Sequence, residues 1–93
     1  MDFSTVHNVQ EQQVFAAVAE VASQHPEFRA APDLLADVAC IALNRLQARY
    51  IRHDLDFAFY QTETERLEND RQVAVAVEYA VGLVLQRGAL GAR

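Results

Sequence analysis

The chain has no lysine and no tryptophan, one cysteine, two prolines and three glycines in 93 residues. With Cys40 alone, no intramolecular disulfide can form, and a Cys₂His₂ or Cys₄ zinc site cannot be built within one chain. That usage fits a reducing, cytoplasmic setting. Met1-Asp2-Phe3-Ser4 lacks the basic and apolar regions of a signal peptide. The longest apolar-rich stretch, Val73 to Leu85, is 13 residues long and carries Glu78; a bilayer span needs about 20. The absence of lysine makes all eight cations arginines, each able to make a planar bidentate contact. Thirteen acidic residues against these eight give a net charge of −5. This excludes broad nonspecific binding to a nucleic-acid duplex or an anionic membrane, though not a small local basic site.

What is present is one small domain with an apolar excess. A chain of 10.4 kDa has no room for a second domain and buries a thin core. Hydrophobic residues still make up 52%, slightly above the usual ~45–50%. A partner subunit is one place for them.

Helical period runs through most of the chain. Residues 4–24 read as a first helix with Ser4 or Thr5 as cap. Val6, Val9, Gln13, Phe15, Val18, Val21 and Ala22 follow near-helical spacing. His25-Pro26 ends it, and Phe28 is expected to tuck into the core. A second helix covers residues 33–48, with Asp33 placed to accept N–H bonds at the N-cap. Leu35, Val38, Ala39, Ala42 and Leu46 form its stripe, widened by Leu34, Ile41 and Leu43. Residues 49–61 form a loop or extended segment. Tyr50-Ile51 is strand-like and leaves open a pairing with its symmetry mate. Leu55, Phe57 and Phe59 alternate like a strand, but Leu55/Phe59 and Asp56/Tyr60 also match one turn of helix. A third helix covers residues 62–87. Thr62 and Glu65 make a capping box at its start, and Gly88 is placed as its C′ stop. Its inner stripe reads Leu67, Asp70, Val73, Val77, Ala80/Val81 and Val84. Val75, Tyr79 and Leu83 are then left facing water, which makes them the expected interface of a two-fold homodimer. The fold class is therefore all-α: a compact bundle of three main helices with a short irregular segment after the second.

The chemistry-bearing residues gather at the end of that second helix. Asn44, Arg45, Arg49, Tyr50 and Arg52 place three arginines within eight residues, beside an aromatic ring and an amide. Arginine forks bind phosphate bidentately and stack on base planes, so the set suits a small nucleotide. It also fits a purely structural role, pairing with Asp54 and Asp56 or complementing the helix dipole. His53-Asp54-Leu55-Asp56 offers too few converging ligands for a metal. His7 and His25 lie in other segments. Cys40 is expected to be a buried structural thiol. No nucleophile–base pair or glycine-rich phosphate loop is present, so no catalytic residue, cofactor or metal is expected.

The run Asp37 to Leu46, with Arg49-Tyr50-Ile51 after it, resembles the late competence development protein ComFB family. The core string is A-L-N-R-L-x-x-R-Y. The continuation from Arg52 to Tyr60, then Glu65-Arg66, is similar to proteobacterial members, and the likeness spans roughly residues 6–85. The resemblance implies a small, all-helical, dimeric, non-enzymatic protein. The founding members' zinc-binding cysteine cluster is missing here, so zinc is not implied. Some members are described as cyclic dinucleotide receptors. That implies c-di-GMP or c-di-AMP as ligand, with Asn44, Arg45, Arg49, Tyr50 and Arg52 as the binding residues. Where the family usually has Pro-Pro, this chain has Gln47-Ala48, which would allow the second helix to fray or extend. The alternative is a protein–protein adaptor, or a structural dimer, in a competence or motility pathway, with a downstream protein partner and no small ligand.

Overall fold

The computed structural model describes residues 1–89. In chain order they form β1 (His7–Asn8), α1 (Gln10–Ala22), α2 (Glu27–Ala30), α3 (Leu34–Arg45), β2 (Tyr50–Ile51), α4 (Asp54–Tyr60) and α5 (Glu63–Ala89). The structure is mainly helical. Its one sheet among the described residues is an antiparallel ribbon of β1 and β2, pairing His7 with Ile51 and Asn8 with Tyr50. Tyr50-Ile51 thus finds its strand partner within the chain.

That ribbon explains why α1 begins six residues later than periodicity predicts. Residues 7 and 8 are drawn into the extended pairing. Neither Ser4 nor Thr5 caps the helix; Val9 holds the N-cap position without a side-chain bond, and Asn8 Oδ1 accepts from the Gln10 N–H at 3.2 Å. The inward line on α1 is Gln10, Val14 and Val18. Val6 and Phe15, expected on that line, remain exposed by 45% and 46%.

Phe28 sits on the one-turn α2 and is buried at 2% exposure. α3 follows Asp33, whose carboxylate makes no capping bond. The first free N–H groups are instead taken up by turn carbonyls: Leu34 donates to Ala31, Leu35 to Pro32 and Ala36 to Asp33. α3 stops at Arg45, three residues short of the expected boundary. Leu46 turns extended (φ −103°, ψ 146°) and packs half-buried against the core. Gln-Ala in place of Pro-Pro therefore does not prolong the helix.

α4 resolves the ambiguous segment as helix. Asp54 and Asp56 lie in its first turn, where the dipole favours negative charge. α5 opens on the capping box: Thr62 N–H donates to Glu65 Oε1 at 3.2 Å and Glu65 N–H to Thr62 Oγ1 at 3.1 Å. The helix passes through Gly88 to Ala89, so glycine does not stop it after Arg87.

The core lies where α5 packs on α3 and α1. Val14, Val18, Val38, Ala42, Val73, Val77, Ala80 and Val84 are buried there, together with Phe28. On α5 the buried line starts at Asn69, not at Leu67 and Asp70, both of which are exposed. Val75 and Tyr79 face outward (56% and 45% exposed), and Leu83 is half-buried. Cys40 is exposed on α3, contrary to the expected buried thiol. No helix of the described residues is long and apolar enough to cross a membrane.

Candidate functional site

A buried polar seam holds the segment after α3 in place. Gln10 and Asn69, 2% and 5% exposed, face each other from α1 and α5. Gln10 Nε2 donates to Asn69 Oδ1 at 3.0 Å and to the Gln47 carbonyl at 3.4 Å. Asn69 Nδ2 donates in turn to Gln13 Oε1. Two residues further along, the Arg49 N–H donates to Asn8 Oδ1 at 2.9 Å, and the Arg49 carbonyl accepts from the Val9 N–H at 2.8 Å. Thus the backbone of Gln47 and Arg49 is fixed by the N-terminal ribbon and α1. These bonds make the seam the anchor of the arginine segment, with Gln10 Oε1 the one seam atom buried without a partner among the described residues.

The five sequence-predicted residues do not converge on one point. Arg49 and Arg52 line the same groove, of about 480 Å³, with Ile51, His53, Asp56, Phe57, Tyr60, Gln61 and Glu65. The Arg49 guanidinium lies 4.9 Å from the Phe57 ring centroid, within cation–π range. Arg52 Nε donates to His53 Nε2 at 3.2 Å. Tyr50 borders an adjoining groove that shares Arg49, Ile51, Phe57 and Glu65. Arg45 points elsewhere. Its guanidinium stacks 3.9 Å over Tyr79 on α5, in a groove with Arg71 and Val75. Asn44 spends its amide donor on the Cys40 carbonyl at 3.0 Å.

Two of the other arginines are locally committed. Arg66 pairs with Glu63 (2.6 Å) and Asp70 (3.0 Å), and Arg71 with Glu68 (2.7 Å). These bonds hold Glu63 and Glu68 below the usual carboxylate range. Arg49 and Arg52 form no ion pair with any described residue. Glu65, on the groove rim, is held low chiefly by its bonds to Thr62, with a smaller contribution from the Arg49 charge. The two groove arginines therefore keep their forks available. Gln61 Nε2 is buried without a partner and lines the same groove as an unused donor. Phe57, Tyr60 and Gln61 do not stand out in the sequence as site residues, because their segment fits two periods equally well.

His7 ties α4 to the ribbon. Its Nδ1 lies 2.8 Å from the Thr5 carbonyl and its Nε2 2.8 Å from Asp54 Oδ1. Both partners are acceptors, so both bonds exist together only in the imidazolium. The Thr5 carbonyl first, then the Asp54 bond and the Asp54 and Glu11 charges, raise the His7 pKa above its ordinary 6.5. The latch is complete below that value and is lost as pH rises through the raised one. Amides of α4 are expected to exchange faster at pH 8 than at pH 6, after correction for intrinsic exchange. His7→Ala removes that difference. Equal protection of wild-type α4 at both pH values would show that the latch holds nothing.

Among the described residues no group of three His, Cys, Asp or Glu side chains is placed to hold a metal ion. The family model described as late competence development protein ComFB matches residues 7–88. No curated protein and no solved structure matches the chain.

Proposed function

We propose that this chain, which belongs to the ComFB family, is a cytoplasmic, non-enzymatic regulatory module that binds a cyclic dinucleotide in the Arg49–Arg52 groove. The observation that carries this reading is a pair of arginines with no carboxylate partner, set beside the aromatic rings of Phe57 and Tyr60. Phosphate is taken bidentately by a guanidinium, a base stacks on an aromatic face, and Gln61 supplies a donor for a base edge. Arg45 and Asn44 play no part in this groove.

A thermal-shift titration with c-di-GMP, c-di-AMP and GMP tests it. At free ligand ~100 times Kd, binding stabilises the native state by about 2.7 kcal/mol, on the order of 10 °C in midpoint for this size. One cyclic dinucleotide is expected to give that shift and GMP none. Arg49→Ala is expected to remove most of the shift while leaving the ligand-free midpoint unchanged. A flat response to all three at millimolar ligand refutes the reading.

The adaptor reading is favoured by a different observation. Leu55, Phe59 and Tyr60 on α4 are 85%, 82% and 77% exposed, an apolar cluster of the kind that docks proteins. A flat ligand response, with a stoichiometric partner captured by wild type and lost in Leu55→Glu, would select it.

A further inference from the structure

We infer that α4 is a proton-held flap on the arginine groove: the His7 imidazolium, bonded to Asp54, keeps it closed, and loss of that proton lets it move away. What the flap closes on rests on the ligand reading above; the flap itself does not.

Little else holds α4. None of its seven residues is buried, whereas even the four-residue α2 buries Phe28. A helix this short does not sustain itself. Among the described residues, two charged contacts tie it to the body: Asp54 to His7 at 2.8 Å, and Phe57 to the Arg49 guanidinium at 4.9 Å. Yet α4 supplies Asp56, Phe57 and Tyr60 to the groove, with Gln61 just after it. Arg49 and Arg52 belong to the ribbon side. With α4 displaced, the guanidinium forks stay and the rings leave. The position of α4 therefore decides whether phosphate and base contacts face one another.

The proton decides the Asp54 contact. Both ring nitrogens of His7 meet acceptors, the Thr5 carbonyl and Asp54 Oδ1, so the neutral ring must give up one of the two bonds. The other charged groups around His7 are Glu11 on α1, Asp56 on α4, and Arg66 and Asp70 on α5. Carboxylates and guanidinium groups ordinarily keep one charge between pH 6 and 8, which leaves the histidines. On the β2 side, Arg52 and His53 follow Ile51, the strand partner of His7. His53 lines the groove, and its Nε2 accepts from Arg52 Nε at 3.2 Å. Its protonation would break that bond, so the two histidines act at different contacts and substitution separates them.

The side-chain protons of Arg49 lie in the ring current of Phe57 and report the flap by NMR without any ligand. Between pH 6 and 8 they are expected to move toward unstacked positions, with the midpoint of the His7 ring. In His7→Ala they are expected to stay unstacked throughout. Static resonances in wild type overturn the flap, whatever binds. Calorimetric titration with c-di-GMP and with c-di-AMP reads the consequence. Kd is expected to be about two- to fivefold weaker at pH 8 than at pH 6, the span of an exposed ion pair. His7→Ala and Asp54→Ala are expected to bind at pH 6 as wild type does at pH 8. Equal wild-type affinity at both pH values overturns the gating. So does a pH dependence that survives in His7→Ala and vanishes in His53→Ala. If neither dinucleotide binds at either pH, the ligand reading alone fails, and the Arg49 resonances decide the flap.

Discussion

Phe28→Ala is expected to lower the unfolding free energy by about 3–5 kcal/mol, the range for truncating a buried phenylalanine. The side chain is 2% exposed and belongs to the core cluster. It sits on a four-residue helix too short to hold itself in place. A domain of 93 residues has roughly 5–14 kcal/mol in total, so this one change removes a large share. The thermal midpoint is expected to fall by about 12 °C or more. Phe15→Ala is the control. That ring is 46% exposed, and its loss is expected to cost under about 1 kcal/mol. Equal losses in urea unfolding of the two variants would place Phe28 outside the core.

The second large effect is expected at the polar seam. Asn69→Leu removes the acceptor for Gln10 Nε2 and leaves that buried amide only its 3.4 Å contact to the Gln47 carbonyl. Stranding a buried donor costs about 1–3 kcal/mol. The damage extends beyond stability, because Gln10 positions the backbone that carries Arg49. Any ligand held by Arg49 and Arg52 is then expected to bind more weakly. The variant Gln10→Leu/Asn69→Leu, which replaces both partners with apolar groups, is expected to lose less than the sum of the single changes. Additive losses in a double-mutant cycle would mean that the Gln10–Asn69 bond is not the coupling element.

These two predictions show where the sequence was legible. Phe28 belongs to the core by its place after Pro26, and the Thr62/Glu65 box follows from spacing alone. Local chemistry decides both. Asn69 is not legible in the sequence, because a polar residue on an amphipathic helix points outward by default; its burial depends on Gln10, 59 positions away. The same distance problem moved the start of α1, since residues 7–8 answer to Tyr50 and Ile51. For α4, apolar period could not choose between strand and helix. The arginine cluster was found as a cluster, yet its members divide. Arg45 is still on α3 and faces α5, while Arg49 and Arg52 lie past the helix break at Leu46 and face α4.

The ribbon has a kinetic consequence. It joins residues 7–8 to 50–51, so its closure requires a long loop to lose its freedom, and two strands alone are marginal in water. The packing of α1, α3 and α5 involves far more buried apolar surface. The ribbon is therefore expected to be the last piece to close in folding and the first to open in native fluctuations. The Arg49 groove inherits that order, since Asn8 and Val9 clamp its backbone. The groove is expected to open and re-form while the helical core stays closed, so a ligand seated there would slow exchange of the Val9 amide before altering that of Val77.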